Sequence, residues 1–314
     1  MNLNYDAAVG SLVGSAVGDA LGAPFEFGQP NEYAAAFPTP CEEPDTELVG
    51  NSIWEPGEFT DDTQMALALA ESLLAQNNFD ADDLWTRWQA WAKTAKDVGI
   101  LTRYALAHPT WDGAADAAET LNGGRSAGNG ALMRNTPVGL LGAAQGNHVA
   151  EVISMFQAAL THNDRDTHTA AFLHATAIAN SIRDHADPID ALDTLLEAYD
   201  FVAGWKRWLT PAWTPDDTDG LPNGTVWVCF AQAVWAVRST SSFEDALVAA
   251  INLGGDTDTV ACVTGSLAGA RYGARAIPNR WLSPLHGYVR QPDGSEQTYT
   301  VTDLYNLADL LTAY

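Results

Sequence analysis

The chain has 314 residues, 46% of them hydrophobic and eleven of them tryptophan, too much apolar surface for a disordered chain and enough for a substantial buried core. Forty acidic residues against fifteen basic ones leave a formal charge of −25, which opposes nucleic acid and anionic lipid, because both are normally held through basic surface. No nucleic-acid or membrane partner is therefore expected.

The first residues, MNLNYDAAVGSLVGSAVGDALG, lack a basic leader and include Asp6 and Asp19, so they suit a mature soluble N-terminus rather than a secretion signal. Gly10, Gly14, Gly18 and Gly22 recur every fourth residue there, laying a narrow glycine stripe along one helix face that lets another helix approach closely. Gly265, Gly269 and Gly273 repeat the device late in the chain. Each helical glycine costs about 1 kcal/mol relative to alanine, so tight packing must offset it.

Apolar residues at three- and four-residue intervals predict helices over 65–76, 81–95, 114–121, 149–162, 167–184, 188–209, 226–239 and 242–253. Period-two stretches are scarce, so the expected fold is all-α, a single compact bundle of roughly ten or more helices over 1–314. The Pro-rich segment 210–225 reads as a surface loop rather than a linker. Cys41, Cys229 and Cys262 are odd in number and form no C-x-x-C pair, which suggests neither a disulfide framework nor a cysteine zinc site and fits a reducing cytoplasm.

Phe59-Thr60-Asp61-Asp62-Thr63-Gln64 runs directly into the 65–76 helix. Capping would explain one such side chain. Two adjacent acids flanked by hydroxyls offer more oxygen than a cap needs, a set that suits a hard cation such as Mg²⁺ or Mn²⁺. Gly254-Gly255-Asp256-Thr257-Asp258-Thr259 opens another helix with the same alternation. Were the two clusters to converge, their carboxylates would repel strongly without shared cations, and a pair of metals is a common solution. A third stretch, Thr214–Gly220, has a similar composition but leads into Leu221-Pro222, and reads as a solvated turn.

The glycine-rich run 124–134 (GRSAGNGALMR) can expose backbone N–H groups to an anionic ligand. It matches neither the P-loop nor the dinucleotide fingerprint. His162 ends a helix in ALTHND, where interaction with free carbonyls is the usual explanation, whereas His168 and His174 read as ordinary helix residues.

Taken in order, Gly18–Glu26 (GDALGAPFE), the TDDT run, Asp97-Val98-Gly99, GNGALMR, Thr161-His162, GGDTDT and Ile277–Trp281 (IPNRW) resemble the ADP-ribosylglycohydrolase family, including the dinitrogenase-reductase-activating glycohydrolases. The likeness covers roughly 8–285, leaving 286–314 as a C-terminal extension of unknown role. It implies an all-α fold with a binuclear Mg²⁺ or Mn²⁺ site in a central cleft. By motif position, Thr60, Asp61, Asp62, Asp256, Asp258 and Thr259 would be ligands, and Glu26 a ligand or the group that positions water. Ser126, Gly128, Asn129 and Gly130 would line the diphosphate and ribose, with His162 at the distal ribose or adenine. Asp97 matches an acid that relatives acting on arginine-linked ADP-ribose place beside the scissile bond, although its neighbours, Ala-Lys before and Ile-Leu-Thr-Arg after, depart from the pattern.

The implied catalytic set is thus Glu26, Asp62, Asp97 and Asp256, acting on an ADP-ribosylated protein or a free ADP-ribosyl conjugate, with arginine N-glycosides favoured over serine O-glycosides. The enzyme is expected to be a cytoplasmic monomer. Two rivals stay open: a catalytically silent ADP-ribose binder or structural relative, and a binuclear hydrolase of the pyrophosphate.

Overall fold

The structure, a computed structural model, describes residues 2–313. Helices dominate it, and a hydrophobic cluster runs from Ala7 near the start to Leu311 near the end. Its centre is a pair of helices, Tyr5–Gly22 and Thr257–Tyr272, packed closely along their lengths.

The glycine stripes produce that pair. A Cβ added at Gly10, Gly14, Gly18 or Gly22 would overlap the carbonyl of Gly269, Gly265, Ala261 or Thr257 respectively, and additions at Gly265 and Gly269 would overlap Gly14 and Gly10. Partners whose numbers fall on one helix as they rise on the other define an antiparallel pair in backbone contact. The N-terminus of the second helix is thereby placed against the C-terminal end of the first. Gly273 does not continue the stripe; with φ +81° it ends the helix, its N–H bonding to Gly269. Tyr5–Phe25 is long and apolar enough to cross a membrane by composition, yet 89% of its most apolar window is buried inside the protein.

The expected helices at 114–121 and 226–239 occur as Ala114–Leu121 and Val226–Ser239. That expected over 188–209 is shorter, ending at Ala198, where Tyr199 turns extended before a 3₁₀ turn Asp200–Trp205. Aromatic packing accounts for the break: the rings of Phe172, Tyr199 and Phe201 sit 5.1–5.5 Å apart, and the Tyr199 hydroxyl donates to Glu151 at 2.9 Å. The periodicity also passed over the helices Ile100–Leu106 and Thr136–Gln145.

The segment from 286 forms an antiparallel hairpin, β1 (His286–Arg290) with β2 (Glu296–Thr300), followed by a helix Val301–Thr312. It is built into the bundle: Val289 and Tyr299 are buried, and Tyr299 donates to Glu71 on the Asp61–Gln76 helix. The N–H of Phe59 bonds to the carbonyl of His286 at 2.9 Å, and that of His286 to Gly57, also at 2.9 Å. This hairpin therefore braces the strand-like segment that feeds Thr60–Asp62.

Candidate functional site

Asp19, at the C-terminal end of the first helix, is fully buried and caps a different helix. Its carboxylate accepts from the backbone N–H of Thr60 and of Thr63, each at 3.0 Å, and from the hydroxyls of Thr60 at 2.8 Å and Thr63 at 2.5 Å. Thr60, the N-cap residue by position, makes no side-chain cap bond of its own. Capping across the interface satisfies donors that local acids would otherwise serve, so neither Asp61 nor Asp62 is consumed by the helix start. The Thr60 hydroxyl gives its proton to Asp19, which leaves its lone pairs free for a cation.

On the opposite side, Gly254 and Gly255 both have φ +72°, a conformation that only glycine adopts without strain. The turn they make is latched to the Phe25–Gly28 turn by Phe27 N–H to the Gly255 carbonyl at 2.7 Å and Gly255 N–H to the Gly28 carbonyl at 3.0 Å. Glu26 immediately precedes these latches, and a carboxylate oxygen from each of Glu26, Asp256 and Asp258 falls within 4.8 Å of the others. Asp62 stands beside this group: its Oδ2 lies 3.4 Å from the Thr259 hydroxyl and 3.5 Å from that of Thr60, while its Oδ1 is buried with no hydrogen-bond partner.

That donor set fits divalent cations. Burial, and after it the neighbouring acids, push the carboxyls of Asp61, Asp62 and Asp258 well above the usual range, and burial followed by Asp256, Asp97 and Asp19 raises Glu26 to about 8. Acids crowded in this way hold protons unless cations replace them. The unpartnered, buried Oδ1 of Asp62 has a lone pair to offer such a cation.

The consequence for stability has a definite sign. Because the folded chain binds these protons more tightly than the unfolded one, stability in the absence of cations falls as pH rises from about 4.5 through about 8, the ordinary and folded values for Glu26. In chelator the melting temperature is expected to be lower at pH 8 than at about pH 5.5, and divalent cation should raise it more at pH 8. Glu26→Gln should flatten the dependence. A chelated wild-type protein that melts higher at pH 8 would contradict this account.

A cleft of about 990 Å³ opens from the acids. Glu26, Asp61, Asp62, Asp256, Asp258 and Thr259 line one part of it, Asp97 and Ile100–Tyr104 another, and Ser126–Gly130 with His162 a third. Asp97 is 43% exposed, accepts from its own neighbour Val98 N–H at 2.7 Å and lies 4.0 Å from Arg103. The adjacent Lys96 anchors that arm: its ammonium meets the buried Glu58 carboxylate at 2.6 Å and lies 5.2 Å from the Trp54 ring centroid. Its presence before Asp97 thus has a structural role that sequence alone left unexplained.

The glycine-rich run includes a short helix, Gly130–Met133. Asn129 lines the cleft, but its amide donates to Asp256 at 2.9 Å and to the Asn223 carbonyl at 3.2 Å, orienting the acid cluster. Ser126 accepts from the Asn163 N–H at 2.7 Å, which ties the run to the segment carrying His162. Gly128 and Gly130 give the His162 ring room: a Cβ there would sit 3.2 Å and 3.4 Å from ring atoms. His168 Nε2 donates to the His162 carbonyl at 2.6 Å, and His174 is buried against Ser266 at 2.7 Å.

Several contributors were not foreseen. Asp19 and Asn223 act across long sequence separations, and the 210–225 segment forms a wall of the cleft as well as a surface loop. Its Gly224 carbonyl accepts from Asn129 N–H at 3.3 Å, and Val226 N–H bonds to Ala127 at 3.1 Å. Only the nearby Thr214–Gly220 stretch behaves as a solvated turn, with Asp217 accepting from the Thr214 N–H at 2.8 Å.

A family model described as ADP-ribosylglycohydrolase matches residues 1–314. Among curated proteins, the chain is similar to an ADP-ribosyl-[dinitrogen reductase] glycohydrolase of Rhodospirillum rubrum, 31% identical over 90% of this chain and 90% of that protein. An ADP-ribosylarginine hydrolase Tri1 of Serratia proteamaculans is 29% identical over 94% of this chain and 79% of the relative. Of solved structures, one titled "ADP-ribosylglycohydrolase-related protein complex" superposes with a TM-score of 0.76 at 31% identity, covering 100% of this chain and 99% of that one. The chain belongs to the ADP-ribosylglycohydrolase family, whose members are glycosidic-bond hydrolases.

Proposed function

We propose that this enzyme removes ADP-ribose from modified arginine side chains in a reaction dependent on two Mg²⁺ or Mn²⁺ ions. The observation that carries the reading is the meeting of two acidic helix starts, with Glu26 between them, at one part of a cleft whose other walls are glycine-rich backbone and His162. Thr60, Asp61, Asp62, Asp256, Asp258 and Thr259 would hold the ions, which when bound would neutralise the carboxylates and orient the hydroxyls of the ribose to be cleaved.

The chain's own residues supply the rest. Cleavage at C1″ develops positive, oxocarbenium-like charge on the ribose, which a carboxylate-lined site stabilises. Glu26, grouped with Asp256 and Asp258, would take the proton of the attacking water. The half-exposed Asp97 carboxylate can accept from a guanidinium N–H of the leaving arginine, a cation that the acidic cleft favours over a neutral serine. A relative whose name specifies ADP-ribosylarginine supports the same choice.

Release of free ADP-ribose should be measured from arginine- and serine-linked ADP-ribosyl peptides, with Mg²⁺, with Mn²⁺ and after chelation. Cation-dependent release from the arginine peptide is expected. Release from the serine peptide alone would overturn the linkage, AMP as product would indicate pyrophosphate cleavage, and binding without turnover would indicate a silent relative.

A further inference from the structure

Arg134 is fully buried, and its partners are neutral. Its Nε donates to the Gln157 side chain at 2.8 Å, its Nη2 to the Gln157 carbonyl at 2.9 Å and to the Thr161 hydroxyl at 2.8 Å, and its guanidinium lies 4.0 Å from the Trp88 ring centroid. Holding a cation in such a place is costly. A bonding arrangement bought at that cost calls for an explanation beyond packing.

The explanation lies one bond further on. The Thr161 oxygen also lies 2.8 Å from Nδ1 of His162. A guanidinium only donates, so the Thr161 oxygen must accept from Arg134 and keeps its own proton to give. Were Nδ1 also protonated, Thr161 would accept twice and its hydroxyl proton would lack a partner in a fully buried position, which is unfavourable. The satisfied arrangement has the Thr161 hydroxyl donating to a bare Nδ1. Burial, then the charge of Arg134, hold His162 well below the usual histidine range, which keeps the ring neutral. Its remaining proton is therefore on Nε2, and that atom faces the glycine wall: a Cβ at Gly128 would lie 3.2 Å from it. Among the described residues it has no hydrogen-bond acceptor.

We propose that Arg134 and Thr161 are positioning residues that fix His162 as an Nε2–H donor, so that this wall of the cleft selects an acceptor oxygen on the bound ligand. The inference rests on the reading that ADP-ribose occupies the cleft, whose phosphates and ribose supply such oxygens. Gly128 and Gly130 lack the Cβ that would close over the ring of His162, which lines the cleft although only 1% of the residue is exposed, and the relay prevents the ring from flipping its proton to the other nitrogen.

The test reads the tautomer directly, by long-range ¹H–¹⁵N correlation on histidine-labelled protein, with His162→Gln to assign the signal. Wild type and Thr161→Ser should both show a bare Nδ1 and a protonated Nε2, whereas Thr161→Val should show mixed tautomers. ADP-ribose titrated by calorimetry should bind Thr161→Val about tenfold more weakly and Thr161→Ser as wild type does, with KM rising and kcat little changed. A protonated Nδ1 in the wild type overturns the relay without any variant, and so does full ADP-ribose affinity in a folded Thr161→Val. If the tautomers behave as expected while ADP-ribose fails to bind the wild type, the relay stands and the proposed substrate falls.

Discussion

Asp62→Asn is expected to lower cation-supported turnover by at least ~10², the lower range for removing a group with an acid/base or metal function. The substitution keeps the shape of the side chain while removing the charge that would hold a cation. It should have a second, opposite effect: in chelator the variant should melt no lower than wild type, and higher near pH 8, because an amide has no buried charge to dehydrate. The same protein should lose most of the thermal gain that Mg²⁺ or Mn²⁺ gives the wild type. Asp256→Asn should reproduce the loss of turnover, although its Oδ2 is also engaged by Asn129 at 2.9 Å. Near-wild-type kcat/KM in the Asp62→Asn, Asp256→Asn double variant would remove the acid cluster from the mechanism.

Gly18→Ala should cost about 3 kcal/mol or more, at the upper end of overpacking penalties. The added methyl would overlap the Ala261 carbonyl and stand 3.0 Å from the Cys262 nitrogen, both backbone atoms with no rotamer through which to escape. A fall in melting temperature on the order of 5–10 °C follows. Gly204→Ala is the control, since nothing lies within 4 Å of a Cβ built there. Spreading the helix pair at Gly18 would also move Asp19 relative to Thr60 and shift Asp256–Thr259 away from Glu26. Cation affinity measured by titration should therefore weaken in Gly18→Ala and stay unchanged in Gly204→Ala. Melting of Gly18→Ala with the wild type would mean that the stripe is not a close contact.

The features legible in the sequence share one property: their signal lies within a few consecutive residues. Helical periodicity at 114–121 and 226–239 gave the bounds that the backbone adopts, because side-chain spacing and backbone propensity agree there. The glycine spacing in the first helix announced a close approach, and the alternation of acids with hydroxyls at 60–63 and 256–259 announced more oxygen than a cap uses. A resemblance carried by those same motifs pointed to the family that the whole chain matches. The hairpin at 286–300 was missed because its two strands are short and, of their buried positions Gly287, Val289 and Tyr299, only the last two carry an apolar side chain.

What the tertiary structure decided is how these local signals divide their work. Asp61 and Asp62 read as more oxygen than a cap needs, but what does cap their helix appears only when Asp19, 41 residues before Thr60, is folded against it. Arg134 looks like the end of a glycine-rich run until folding places it against Thr161, 27 residues later. By itself, then, the sequence determined an all-α chain with two acidic helix starts and glycine faces for close packing. The fold alone determined which hydrogen bonds those residues have left over, since a donor or acceptor is free only when every neighbour brought to it by packing has been counted.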